Sequence, residues 1–231
     1  MPSTPKILEV IVTSIEEAIE AEAGGADRLE LVRALELGGL TPEFELVREI
    51  LATVSIPVRV MVRDNSSMSI AGQSELAKLA ADARAFSRLR IHGLVLGWVQ
   101  NRQVDIVALQ TVLAAAGCRA TYHRAIEHVR DALAAIRTLK QFPQIDRILT
   151  SGGPGPWPER KQRLLEWQRA ASPEITILVR AGISQSALAG VLEEPELLEF
   201  HVGRAARIPH HNSGAVSRLQ VAQLKSVLPR Q

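Results

Sequence analysis

The chain has 231 residues, 46% of them apolar, which suffices for one sizeable core and is too short for two large domains. Its 27 basic and 25 acidic residues give a net charge of +2 with no concentrated basic tract, and aromatics are only 3%, which argues against a basic nucleic-acid face with stacking platforms. No run approaches the roughly 18 apolar residues of a membrane span, the start MPSTPKILEVIVTS lacks a signal-type apolar stretch, and the lone Cys118 makes no intrachain disulfide. A soluble cytoplasmic protein with neither nucleic-acid nor membrane partners is expected.

Taken in order, short Val/Ile/Leu-rich runs alternate with amphipathic segments. The runs cover 7–12, 28–32, 58–63, 93–96, 120–124, 146–150, 176–179 and 199–202. They read as parallel strands buried on both faces. The first is followed by Ser14, a candidate N-cap for a helix over 15–23, with Glu17 three residues on as a capping box and Gly24-Gly25 closing it. Thr41-Pro42 opens a helix over 43–53, with proline at the first helical position. Further helices are predicted over 75–88 after Ser74, 106–115 after Asp105, 130–141, 159–170 after Pro158, 185–192 after Ser184 and 214–227.

Eight strands, each followed by a helix, is the count of a single (β/α)8 barrel spanning 1–231. A dinucleotide-binding sheet would need a Gly-x-Gly-x-x-Gly turn after the first strand, and that turn is Thr13-Ser14-Ile15. The barrel is compact, and its longest strand-to-helix loops are 64–73 and 151–157.

A barrel of this kind carries its site at the C-terminal ends of its strands. Charged and imidazole groups recur there, Glu9, Glu30, Arg63, His123 with Arg124, Arg180, His201 and Arg204, together with the hydroxyl of Ser151. Several ions aimed at one volume need partners, because an unpaired buried ion costs several kcal/mol, by a rough estimate. Glu9 and Glu30 either balance Arg59 and Arg63 inside the barrel or do acid–base work. His123 and His201 are core histidines or site residues. Alternation along the strand turns Arg124 away from His123, towards a neighbouring helix. Met61 reads as core, and His210-His211 as a solvated segment. The turns at Arg180-Ala181-Gly182 and Gly203-Arg204 offer small residues, helix termini and charge, a phosphate-binding arrangement in many barrels. The 151–157 loop, rich in Gly and Pro, is a wall of the mouth or an oligomer contact, and Trp98 and Trp157 are candidate platforms.

The blocks LEVIVTSIEEAIEAEAGGADRLELVRALELGGLTP, IPVRVMVR, YHRAIE, DRILTSGG and EFHVGRAAR, in that order over about residues 7 to 207, resemble the CutC copper-homeostasis family. The resemblance implies a TIM-type barrel, a cytoplasmic homo-oligomer (dimer or tetramer) and a link by name to copper, without an established reaction. Glu9, Glu30, Arg63, His123, Arg124, Ser151 and His201 match the family pattern. Ile11 and Val32 stand where that pattern has cysteines, on the strand faces of Glu9 and Glu30. The loop after Arg63 is Asp64-Asn65-Ser66-Ser67-Met68 where the family has Pro-Arg-Gly-Gly-Asp, and its triple-glycine turn is Arg180-Ala181-Gly182 here. Copper therefore carries over as a cofactor or cargo by name, while the thiols that Cu(I) prefers do not.

Three functions follow. The first is a copper-homeostasis protein that binds or traffics the metal through His123, His201, Met61 and the two glutamates. The second is an enzyme acting on a small anionic, phosphorylated or carboxylated, substrate. In it Arg63, Arg124, Ser151, Arg180, Gly182, His201, Gly203 and Arg204 bind the ligand, and Glu9, Glu30 and His123 are catalytic. The third is an oligomeric scaffold whose barrel charges are structural.

Overall fold

The computed structural model describes residues 5–180 and 194–228. Eight parallel strands close into a barrel: β1 (Ile7–Val12), β2 (Arg28–Leu31), β3 (Val58–Met61), β4 (Gly93–Leu96), β5 (Ala120–Tyr122), β6 (Ile145–Thr150), β7 (Thr176–Arg180) and β8 (Glu199–Val202). Each strand pairs with the next, and β8 returns to β1 through Glu9 opposite His201. The fold is the TIM-type barrel expected from the alternation of elements.

The described helices are α1 (Ile15–Ala23), α2 (Phe44–Thr53), α3 (Gln73–Ser87), α4 (Ile106–Ala116), α5 (Ala132–Leu139), α6 (Trp157–Ala171) and α7 (Arg218–Ser226). Their starts follow local chemistry. Ser14 caps α1 by accepting the Glu17 amide, and Asp105 and Asp131 cap α4 and α5 in the same way. Glu17 does not complete a capping box with Ser14. Its carboxylate accepts from the Thr13 amide and hydroxyl and pairs with the buried Arg207. The last helix begins later than the 214–227 pattern suggests, because 207–208 and 215–216 form a short antiparallel pair first. The predicted 185–192 helix and Gly182 lie outside the described residues.

Two cores result. The larger lies between sheet and helices and contains Leu8, Leu29, Leu94, Ile148 and Phe200. Period-two alternation sends the other residues of each strand into the barrel. There Ile11, Val32, Met61 and Val95 form a separate apolar cluster.

The N-terminal end of the barrel is closed by ions. Arg59, with no exposed surface, makes a bidentate contact to Asp146 at 2.8 and 2.7 Å and donates to Thr121 Oγ1. Arg147 grips Glu199 through Nε and Nη2 at 2.6 and 2.9 Å, and Arg28 joins Glu199 to Glu9, at 2.5 Å each. The expectation that Arg59 and Arg63 neutralise Glu9 and Glu30 is therefore corrected. Arg59 stands opposite Glu30 in the strand register, but its long side chain reaches Asp146 instead. Arg63 lies beyond the end of β3 and bonds loop carbonyls. Glu9 takes its cation from β2.

Candidate functional site

The C-terminal ends of the strands surround a cavity of about 420 Å³. One part of its wall is apolar, from Ile11, Met61 and Leu149. Glu30, His123 and His201 supply acid–base groups, and Arg124, Arg180 and Arg204 supply three guanidiniums.

Glu9 and His201 build the base of this arrangement. Glu9 accepts from Arg28 Nε at 2.5 Å, and its other oxygen lies 2.9 Å from His201 Nδ1. Burial pushes the Glu9 carboxyl up, but Arg28 and His201 together outweigh it and hold the group below its ordinary value. An ionised carboxylate only accepts, so Nδ1 of His201 carries the hydrogen of this bond. The same Nδ1 lies 3.2 Å from Glu30 Oε2. That oxygen is buried and outside bonding geometry, and no described residue bonds it. Burial raises the Glu30 carboxyl to about 7, with neighbouring Glu9 adding to the effect and His201, Arg180 and Arg124 opposing it. Two carboxyls beside one histidine are thus driven apart, one ionised and one titrating near neutrality.

His123 follows the last residue of β5 and caps a 3-10 turn over Arg124–His128. Its Nδ1 accepts the Ala125 amide at 3.2 Å. Nε2 is buried and unbonded among the described residues. Burial lowers the ring's pKa to about 3, helped by the positive charges of Arg63 and Arg124, so the imidazole is neutral. A neutral ring that accepts at Nδ1 carries its hydrogen on Nε2.

Arg124 needs a correction. The strand ends at Tyr122, so alternation does not reach Arg124, which lines the cavity rather than pairing with a helix. Arg63 donates to the Gly38, Gly39, Ser66 and Ser67 carbonyls. Burial, then Arg124, lowers its pKa to about 10. It fastens the loops after β2 and β3 to each other. Ser151 donates its hydroxyl and amide to Glu127, which also takes the Thr150 hydroxyl, so these groups shape the loop after β6. Gly203 lines the cavity. Trp98 is in the main core, and Trp157 is half-buried against that core beneath Arg160, so neither is a platform at the mouth. His210 and His211 sit on the exposed segment between the short strands.

Sequence reasoning passed over two glycines. Gly38 has φ +85°, and a Cβ there would fall 2.1 Å from Arg124 Nη2. A Cβ at Gly97 would fall 2.8 Å from His123 Nδ1. Both make room for site side chains. The Gly38-Gly39 pair ahead of Thr41-Pro42 was the available signal; Gly97 left none, since it reads as an ordinary strand end.

The CutC family model matches residues 6–206. The chain belongs to the CutC family. It is 33% identical to the human copper homeostasis protein cutC homolog over 199 residues, covering 84% of this chain and 72% of that one. A Pasteurella multocida CutC family protein is 29% identical over 210 residues, with 88% and 86% covered. A CutC structure from Streptococcus agalactiae superposes with a TM-score of 0.77 at 23% identity, covering 86% and 98% of the two chains, which supports the shared fold. Within this CutC-family barrel, Ile11 and Val32 touch the same apolar cluster as Met61, beside Glu30. No helix among the described residues is long and apolar enough to cross a membrane.

Proposed function

We propose that this chain shares the copper-homeostasis assignment its relatives carry by name, and that its own chemistry is that of an enzyme acting on a small phosphorylated or carboxylated molecule in the barrel mouth. The observation that carries the reading is the convergence of Arg124, Arg180 and Arg204 on the cavity that also holds Glu30. Guanidiniums recognise carboxylate and phosphate oxygens in a planar, multidentate way. Glu30, with its raised pKa of about 7, suits general acid–base work at neutral pH.

The residues present do not fit resident copper. Glu9, Glu30 and His201 offer ligand atoms within 4.8 Å of one another. Yet Glu9 is already neutralised by Arg28, and His201 Nδ1 is bonded to Glu9. Three guanidiniums line the same cavity and oppose a cation. The positions that would bring thiols carry Ile11 and Val32, and Cys118 lies just before β5, at the opposite end of the barrel. Such a set is hard and largely compensated, whereas Cu(I) seeks soft sulfur.

Calorimetric titration with inorganic phosphate, sugar phosphates and di- and tricarboxylates tests the reading. Binding that weakens at least tenfold in Arg124→Gln supports it. Absence of any anion binding, or affinities unaltered in Arg124→Gln across the same compounds, overturns it.

A further inference from the structure

The cavity holds two buried polar atoms without a protein partner among the described residues, His123 Nε2 and Glu30 Oε2. They differ in kind. Nδ1 of His123 is occupied by the Ala125 amide, which leaves Nε2 as a fixed N–H donor. Glu30 Oε2 belongs to a carboxyl whose neighbour His201 has its Nδ1–H directed at Glu9. The first is a neutral hydrogen-bond donor in a fixed position, and the second is a proton acceptor. A buried donor left unbonded is unfavourable, and a ligand acceptor removes that cost.

The remaining lining narrows the chemistry. No lysine or cysteine lines the cavity among the described residues, so it provides neither an amine for a Schiff base nor a thiol nucleophile. What it does provide is anion binding, one rigid donor and one base.

We propose that the substrate is a small anion carrying a carbonyl group, and that the site moves a proton on the carbon beside that carbonyl. This rests on the anion-site reading above. Arg124, Arg180 and Arg204 hold the phosphate or carboxylate end. The carbonyl oxygen accepts the His123 Nε2–H bond. Glu30 carboxylate takes the proton from the adjacent carbon, the C–H electron pair becomes the C=C bond of an enolate, and the carbonyl π pair moves onto the oxygen held by His123. Return of the proton, or of a solvent deuteron exchanged onto the Glu30 carboxyl, to the same carbon restores the carbonyl and completes an exchange. No oxidant, metal or co-reactant enters the balance. A neutral imidazole suits the donor role because it keeps its hydrogen while sharing it with the developing oxyanion. Glu9 is a positioning residue here: by keeping His201 Nδ1–H for itself, it leaves Glu30 Oε2 unmatched.

The test is deuterium exchange by proton NMR. The full chain in D2O is given dihydroxyacetone phosphate, glycolaldehyde phosphate, pyruvate and 2-oxobutyrate. Glycerol 3-phosphate and lactate serve as carbonyl-free controls. Affinities for all six are measured calorimetrically in parallel. The expected result is enzyme-dependent loss of α C–H signal for at least one carbonyl anion that binds, and none for the controls. Exchange falls by about 100-fold or more in Glu30→Gln and in His123→Asn with affinity retained, the scale of acid–base and oxyanion contributions. Asn keeps an oxygen for the Ala125 amide and removes the Nε2–H, so the turn survives. Carbonyl anions that bind without exchange overturn this proposal and leave the anion site standing. Failure of all six to bind, where other anions bind, also overturns it. Exchange persisting in Glu30→Gln overturns the assignment of the base.

Discussion

His201 Nδ1 lies 2.9 Å from Glu9 Oε1, and the bond they share directs the ring's hydrogen to Glu9 and leaves the neighbouring Glu30 Oε2 unmatched. Glu9 in turn is anchored by Arg28, which ties it to the ion network at the N-terminal end through Glu199. The site is therefore built on the structural network rather than beside it.

The first prediction concerns the pH dependence of stability. Glu30 has a folded value of about 7, above the ordinary 4.5. A raised carboxyl contributes stability that is fully present below 4.5 and lost as pH rises through about 7, because the folded state holds the proton more tightly. The ionisation costs the folded state about 3 kcal/mol above that range. Glu30→Gln removes this cost. Urea unfolding should show the variant close to the parent at pH 4 and more stable by a few kcal/mol at pH 8. A difference that is flat with pH contradicts the assignment.

A second prediction separates the closed end from the mouth. Asp146→Asn removes the carboxylate that Arg59 grips with both nitrogens, leaving a guanidinium without exposed surface and uncompensated. Breaking such a pair costs about 3–5 kcal/mol. Denaturant melts should show that loss, while affinity for the anions bound at the mouth stays within about twofold, as expected for sites without shared partners. A matched loss of affinity would mean that the two ends are coupled.

Much of this architecture was legible in the sequence. Alternating apolar runs and caps such as Ser14 and Asp105 are local signals, and they gave strands β1, β4 and β8 to the residue. Which ions meet was not legible. Pairing inside a barrel depends on side-chain length and on where each strand stops. Arg59 bypasses its register neighbour Glu30 for Asp146, and β5 stops two residues short of Arg124. Gly38 shows the same limit, since its requirement comes from Arg124, 86 residues away in the chain.

Gly38 gives the third prediction. Gly38→Ala places a Cβ 2.1 Å from Arg124 Nη2 at a φ of +85°. The left-handed backbone alone costs an L-residue about 1–2 kcal/mol, and the guanidinium must move as well. We expect lower stability together with at least tenfold weaker anion binding, whereas Gly117→Ala, also at positive φ but with open space around it, lowers stability alone. Equal anion affinity in the two variants would remove Arg124 from the binding site.

The last prediction concerns copper. Competition titration against a Cu(I) chelator should return an affinity no tighter than micromolar, about 8 kcal/mol of binding free energy. The reason is chemical: among the described residues the mouth offers carboxylates, imidazoles and one thioether, Met61, with guanidiniums around them. Sub-nanomolar binding by the parent protein would falsify this reading. The converse experiment is available in the same barrel. Ile11 and Val32 pack in one small cluster with Met61. Replacing both, Ile11→Cys with Val32→Cys, sets two thiols beside that thioether, the soft set that Cu(I) prefers. Their introduction should tighten Cu(I) binding by about a thousandfold, roughly 4 kcal/mol. An unchanged affinity in a folded double variant would show that geometry, and not the identity of these two side chains, keeps copper out of this barrel.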